Sequence, residues 1–467
     1  MYSDHLQHFN QILNQHEILT DADITAPYCI DQRNRYHGEV FAVLLPNSVT
    51  AIQNIMRYCH QHQIPVTPQG GNTGLCGGAT PHASINKQGI ILSLSKLNRL
   101  RNLSYEDNTI TVEAGMILAN LQAAAREAGR YFPLSLASEG SCQIGGNIAC
   151  NAGGLNVVRY GTTRDLVLGL EYVLATGELV SHLQPLHKNT SGYEMQQQII
   201  GSEGTLAIIT AATLKLFSPP LSILTAWVGI ENIQTAIKLL QALKKHFGDR
   251  ISSFELISAQ ALNLSASYSH LQIPTQAAWH ILLELTDSMP DQNLTDPFIS
   301  ILEQGNWLNT IIAQSATERG HLWTLRENIS EAQRHLGASI KHDIAVPIEQ
   351  VADFVEHSQQ QLTQAFPQAQ TILFGHLGDG SLHYNVFIAD VLNNDVYRYE
   401  DGINKIVYES VLNYHGTIAA EHGIGQLKNQ WIPRIRTQAE INWMRMQKQV
   451  LDPHNILNAG KVLPPQP

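Results

Sequence analysis

Two histidines, His376 and His383, flank the run Leu-Gly-Asp-Gly-Ser-Leu, and further along a carboxylate and an imidazole stand side by side as Glu421-His422. Asp379-Gly380 is a dipeptide favoured in two-residue β-hairpin turns. A turn there would pair 376 with 383, 377 with 382 and 378 with 381, making the two imidazoles cross-strand neighbours with Cβ atoms ~4.5–5.5 Å apart. Leu377, Leu382 and Tyr384 would face the other way, and Asn385 would share the histidine face. Two imidazoles on one face suit a divalent cation, with Zn2+ favoured by nitrogen and oxygen donors and Mn2+, Co2+ or Fe2+ as alternatives. Glu421 offers a third ligand and leaves the site open. In a chain with 21 histidines, such a pair is by itself more often solvated or structural.

Arg326 and Ser330 lie one helical turn apart in WTLRENIS, a spacing that puts them on one face, and Lys341 begins the strand that follows. An Arg grips a carboxylate through two N–H groups and a Lys adds a point charge, although surface exposure is the commoner fate of both. A different chemistry is written in glycine. Five of the ten residues from Gln69 to Gly78 are glycine, against 33 in all 467. Without Cβ atoms, such a loop can turn successive backbone N–H groups toward an anion such as a dinucleotide pyrophosphate. It lacks the Gly-Lys-Ser/Thr of a Walker loop and the GxGxxG spacing of the Rossmann fingerprint. Alone it reads equally well as a tight surface loop. A second cluster, from Ser138-Glu139-Gly140 through Gly145-Gly146-Asn147 to Asn151-Ala152-Gly153-Gly154, calls for a second close approach and hence an extended ligand.

The elements that must hold these residues follow from periodicity and punctuation. EVFAVLLP reads as a strand, Asn47-Ser48 as caps of a helix running to about His62, and IPVTP as the strand feeding the first glycine loop. ITVEAG and the helix ILANLQAAAREAG precede the second cluster. LEYVLATGELVSH predicts a hairpin turning at Thr176-Gly177, and GTLAIITAATLKLF a long strand. Ser218-Pro219-Pro220 then punctuates the chain. LTAWVGI, SSFELIS, WHILLELTD and IKHDIAV read as strands, with helices expected near 236–247, 316–336 and 349–365. The expected division is a helical segment 1–37, a ligand-binding domain 38–218, an α+β domain 219–420 with an antiparallel sheet, and a segment 421–467 that packs back on the first domain.

A chain of 467 residues exceeds the ~250–300 at which a single core stops growing. Its net charge of −11 disfavours nucleic acid or an anionic membrane surface as the main partner. Five scattered cysteines without a CxxC pair argue against a disulfide framework, and the opening residues lack the cationic start and apolar core of a signal peptide. The expectation is a soluble, cytoplasmic protein.

PQGGNTGLCGG, IGGNIACNAGG and GSEGTLAIIT resemble the flavin-binding domain of the vanillyl-alcohol oxidase and p-cresol methylhydroxylase superfamily. FGHLGDGSLHYNV, AEHGIG and LDPHNILNAGKVL are similar to FAD-linked oxidases acting on D-2-hydroxy acids, D-2-hydroxyglutarate first and D-lactate next. The resemblance runs through nearly all of the chain. It implies an α+β fold with a two-subdomain FAD-binding domain of the p-cresol methylhydroxylase type and an α+β cap domain. FAD is then the cofactor, with Gly70, Gly71, Asn72, Thr73 and Gly74 cradling its pyrophosphate and Gly77 and Gly78 beside it. Ser138, Gly145, Gly146 and Asn151 would line the flavin, Glu203, Gly204 and Ile209 would close over it, and Asn458 would join them. The first loop has no histidine for covalent attachment and Cys142 reads as a small apolar residue, so the FAD is expected to be non-covalent.

The same resemblance gives His376, His383 and Glu421 to the metal. An imidazole near neutrality suits the general base, so His422 is expected in that role, and both it and Asn385 are expected to bind substrate. Arg326, Ser330 and Lys341 would hold a second carboxylate, Ser330 standing where relatives carry Thr. The expected reaction is oxidation of a D-2-hydroxy acid by hydride transfer to flavin N5, the favoured substrate D-2-hydroxyglutarate or D-malate. The alternatives are a D-lactate dehydrogenase or glycolate oxidase-type subunit, a flavin-free zinc hydrolase and an electron-relay subunit. A quinone or an electron-transferring flavoprotein is the expected acceptor, and a homodimer is compatible.

Overall fold

The computed structural model describes residues 2–464 apart from 86, 87, 306 and 392. The chain forms two compact units. The first is Met1–Ala152, Thr162–Ser218 and His422–Pro467; the second is Gly153–Gly161 and Pro219–Glu421.

In the first unit, β1 (Ile18–Leu19), β2 (Ala42–Leu44), β3 (Val66–Gln69) and β4 (Ile90–Ser93) form a sheet in the order β1-β2-β4-β3. β2 and β3 both run parallel to β4, and parallel strands need crossovers. The helix Val49–His62 connects β2 to β3. Ser48 caps it by accepting from Ala51 N–H, and Ala51, Ile52, Ile55, Met56 and Cys59 bury its inner stripe. A second sheet of this unit is antiparallel throughout. It contains β5 (Leu100–Ser104), β6 (Thr109–Glu113), β7 (Val167–Val173), β8 (Leu179–His182) and β9 (Ile208–Lys215), in the order β5-β6-β9-β7-β8. The β7–β8 hairpin turns at Thr176-Gly177, where Gly177 has φ +83°. The C-terminal segment returns to β3 through hydrogen bonds from Val66 N–H to Ile456 O and from Asn458 N–H to Val66 O.

The second unit is built on one antiparallel sheet. Its strands are β10 (Ser222–Ile230), β11 (Ile251–Ser258), β12 (Trp279–Asp287), β13 (Thr310–Ile312), β14 (Ile340–Ala345), β15 (Ala369–Gly375) and β16 (Ser381–Ile388). They are ordered β13-β10-β12-β11-β15-β16-β14, which fits the expected α+β class. Trp227, Ile257, Leu282 and Phe374 from the sheet pack with Leu262 and Leu325 from the helices Ala259–Ser269 and Ala316–Glu327. Each such side chain contributes roughly 1.5–3 kcal/mol on burial. Among the described residues, no helix is long and apolar enough to cross a membrane.

Two local expectations fail here. First, the β15–β16 register pairs His383 with Phe374 rather than with His376. The turn is longer than two residues, with the His376 carbonyl accepting from Gly380 N–H and Ser381 N–H. At Gly375 a Cβ would lie 2.6 Å from Ser381 O, so the strands run on in close contact to that point and only then open. His376 is therefore the first residue of the turn. Second, the helix expected over 316–336 breaks into Ala316–Glu327, Ile329–Ala332 and a tighter turn Gln333–Leu336. At the junction Asn328 donates its side-chain amide to Ser269 Oγ. The break separates Arg326, which is buried, from Ser330, which is exposed, so the two do not share a face.

Candidate functional site

The first glycine loop leaves the first unit's four-stranded sheet at the end of β3, and its base is pinned by Gln69, whose amide donates to Tyr28 O and Ala79 O at 2.8 Å each. Asn72 takes a left-handed conformation, φ +52°, and donates its side chain to Ile30 O. The two glycine clusters meet. A Cβ on Gly71 would lie 2.2 Å from Ser141 O, and one on Gly70 would lie 3.9 Å from Gly146 Cα. Gly145 is equally constrained, since its Cβ would fall 2.6 Å from that of Ala114. At Gly74 and Gly146, by contrast, a Cβ would meet only open space. Gly146 belongs to the helix Ile144–Cys150, where alanine is ordinarily the better residue, so the bare backbone there keeps room for something else.

The rest of the predicted cofactor set has definite places in this unit. Ser138 O accepts from Ser141 and Cys142 N–H, which shapes the turn ahead of the helix. Asn151 caps that helix with φ +52° and accepts from Arg164 N–H. Glu203, buried and at φ +52°, accepts from Ile424 and Gly425 N–H at 2.7 and 2.9 Å. Gly204 follows against Pro68. Asn458 donates to Gly78 O at 2.9 Å and to Glu203 O at 2.7 Å. Gly77 O accepts from Gln426, Thr73 is half-buried, and Ile209 is buried in β9 opposite Tyr172. Lys461, which the sequence reading missed, donates to Gly78 O and to Asn458 Oδ1. Burial lowers its amine to about 7 against the pull of Glu203, and raises the Glu203 carboxyl in turn. Among the described residues, no backbone N–H from Gly71 to Gly74 donates to a protein acceptor, and buried Gln143 Oε1 and Asn147 Oδ1 have no hydrogen-bond partner. Free donors on a glycine loop, a cradle that Cβ atoms would fill and orphaned amide oxygens fit the pyrophosphate and ring of FAD.

In the second unit, strand register gathers the polar set. Directly paired residues share a face, as do residues two apart along one strand. β16 pairs His383 with Phe374 of β15 and Asp343 of β14, and Asn385 with Ile372 and Lys341. β11 pairs Ile257 with Phe374, so Glu255, two residues earlier, points to the same side. Glu255 has no solvent exposure. Its Oε1 lies 2.7 Å from His376 Nδ1, and its Oε2 accepts from both Nε and Nη2 of Arg326 at 2.7 Å. Arg326 also lies over the Phe374 ring, 4.8 Å from its centroid.

Burial alone would raise the Glu255 carboxyl, but the charges of His376 and then Arg326 hold it down to about 2. Burial opposes a charge on His376, yet the carboxylates of Glu255 and Glu421 raise its pKa well above the ordinary imidazole value. On the other side of the ring, His376 Nε2 lies 3.3 Å from Glu421 Oε1. Glu421 is fixed by accepting from Gly154 N–H at 2.7 Å and by donating its own N–H to Asp343 Oδ2. The rings of His376 and His383 meet edge to face at 5.5 Å, and ligand atoms of His376, His383 and Glu421 lie within 4.8 Å of one another.

This donor set fits a divalent cation, because a histidine tied through Nδ1 to a carboxylate presents Nε2 as a ligand once a metal ion displaces its proton. The structure thus brings the three predicted metal ligands together although the predicted hairpin pairing is wrong. Asn385 donates to Gln333 Oε1, Ser330 stands apart on the exposed side, and His422 begins the last segment of the first unit. Glu255 was missed by sequence reasoning, although an acid inside the apolar alternation of SSFELIS is the kind of signal that marks a buried, partnered carboxylate.

Comparison with known proteins also divides the chain near Pro219. Residues 41–182 match a family described as FAD binding domain, and residues 220–462 match FAD linked oxidases, C-terminal domain. A D-2-hydroxyglutarate dehydrogenase of Xanthomonas citri pv. viticola is 36% identical over 439 residues, 93% of this chain and 92% of its own. One of Stutzerimonas stutzeri is 34% identical over 452 residues, 96% of each chain. The solved structure of p-cresol methylhydroxylase with substrate bound shares the fold, with a TM-score of 0.78 over 99% of this chain and 97% of that one at 14% identity.

Proposed function

We propose that this chain, which belongs to the FAD-linked oxidases, oxidises D-2-hydroxyglutarate, or a near relative such as D-malate, to the 2-oxo acid. The flavin supplies the hydride acceptor, N5. A divalent ion at His376, His383 and Glu421 would lower the pKa of the substrate hydroxyl. Within this proposal His422 takes the hydroxyl proton as general base. Arg326 and Lys341 receive the second carboxylate, and Asn385 orients the first.

The observation that carries the dicarboxylate reading is the buried Arg326. A guanidinium held by the same carboxylate that holds His376 is a fixed cation beside the histidine cluster, and a monocarboxylate such as lactate has nothing to offer it. Anaerobic flavin bleaching with a panel of D- and L-2-hydroxy acids tests the proposal. D-2-hydroxyglutarate should bleach fastest, and chelator treatment should slow bleaching while leaving the flavin bound. Faster bleaching by D-lactate, or none with any acid, overturns it.

A further inference from the structure

We infer that Glu255 is a positioning residue that ties the cation-binding end of the second unit's site to its distal-carboxylate end, so that one side chain sets both catalysis and substrate choice. The inference rests on the dicarboxylate reading above. It starts from the division of labour between two oxygens of one carboxylate: Oε1 takes the Nδ1 edge of His376, and Oε2 takes the Nε and Nη2 edge of Arg326. The first contact fixes the ring so that Nε2 faces Glu421 and the metal position. The second turns the guanidinium about its long axis and leaves about three of its five N–H donors for a ligand.

The carboxylate itself has little freedom. Glu255 sits mid-strand in β11, paired with Leu282 of β12, with neither exposed to solvent. A displacement of Glu255 would therefore move a metal ligand and a substrate-binding cation together. A role limited to balancing the Arg326 charge would need only Oε2; the contact of Oε1 with His376 is what such a role leaves unexplained.

Glu255→Gln separates the two accounts, because one amide oxygen can accept from His376 or from Arg326 but cannot serve both as the carboxylate does. With the purified flavoprotein, Zn2+ affinity is measured by chelator competition, and the ratio of kcat/KM for D-2-hydroxyglutarate to that for D-lactate is measured separately. We expect Zn2+ affinity to fall roughly 10–100-fold, the effect typical of losing a ligand's supporting carboxylate, and the selectivity ratio to fall by about tenfold or more. Glu255→Asp, which keeps the charge but draws it back by one methylene, should lose both as well and decides the matter if Glu255→Gln does not fold. Retention of either property in a folded variant overturns the coupling. Arg326→Ala distinguishes the underlying reading. If it leaves the preference for D-2-hydroxyglutarate intact, the dicarboxylate proposal fails; if it abolishes that preference while Glu255→Gln keeps Zn2+ affinity and selectivity, only the role of Glu255 fails.

Discussion

Lys461 shows how a single buried amine can set a pH dependence. Its pKa falls from 10.5 to about 7 because burial outweighs the attraction of Glu203. Between those values the unfolded chain holds a proton that the folded chain has given up, so stability rises with pH across the window and is lost as pH falls from 10.5 toward 7. The difference is on the order of a few kcal/mol. Replacing Lys461 with Met should flatten that slope in urea-unfolding midpoints measured from pH 7 to 10, and a slope unchanged by the substitution would refute the assignment. At this scale the sequence was uneven. The gathering of His376, His383 and Glu421 was anticipated through motifs that resemble a known family, while the local hairpin pairing expected of the two histidines was wrong. Glu255 and Lys461 were not anticipated, because each acquires its role from partners distant in the chain: His376 and Arg326 for the first, Gly78 and Glu203 for the second.

The elements differ in how much of their geometry is local. The helix Val49–His62 was readable because a Ser cap and a 3–4 apolar stripe are both written in consecutive residues. The β15–β16 turn was misread because Asp379-Gly380 carries a strong local signal that gives way to the close approach of Gly375 to Ser381. The helix break at Asn328 likewise depends on a tertiary hydrogen bond to Ser269. The glycine helix Ile144–Cys150 permits a test in which two effects have opposite signs. Gly146→Ala places a methyl group in open space and should stabilise the flavin-stripped protein by a few tenths to about 1 kcal/mol. The same methyl group should weaken flavin retention through gel filtration. Gly71→Ala, driven against Ser141 O, should lower both stability and flavin content. Undiminished flavin in both variants would remove the cradle from these glycines.

For the whole molecule, periodicity and punctuation were enough to expect an α+β protein with a break near Ser218, but not the strand order of the seven-stranded sheet, which depends on pairings across more than a hundred residues. Nor did they foresee that Gly153–Gly161 belongs to the second unit. This short piece contributes Val158, which lies against Gly378, and the Leu155 carbonyl, which accepts from Ser253 Oγ. A fragment covering 219–421 should consequently melt at a lower temperature than the same fragment with 153–161 fused through a flexible linker; equal melting temperatures would mean the insertion is dispensable.

The chain therefore changes unit after Ala152, Tyr160-Gly161, Ser218 and Glu421, and synthesis delivers the flavin loop long before Asn458 and Lys461, the residues that grip Gly78. A nascent chain paused after Glu421 would carry every residue of the second unit but an unfinished first one. The braces on the flavin loop are thus the last pieces of the first unit to leave the ribosome, after the whole of the second.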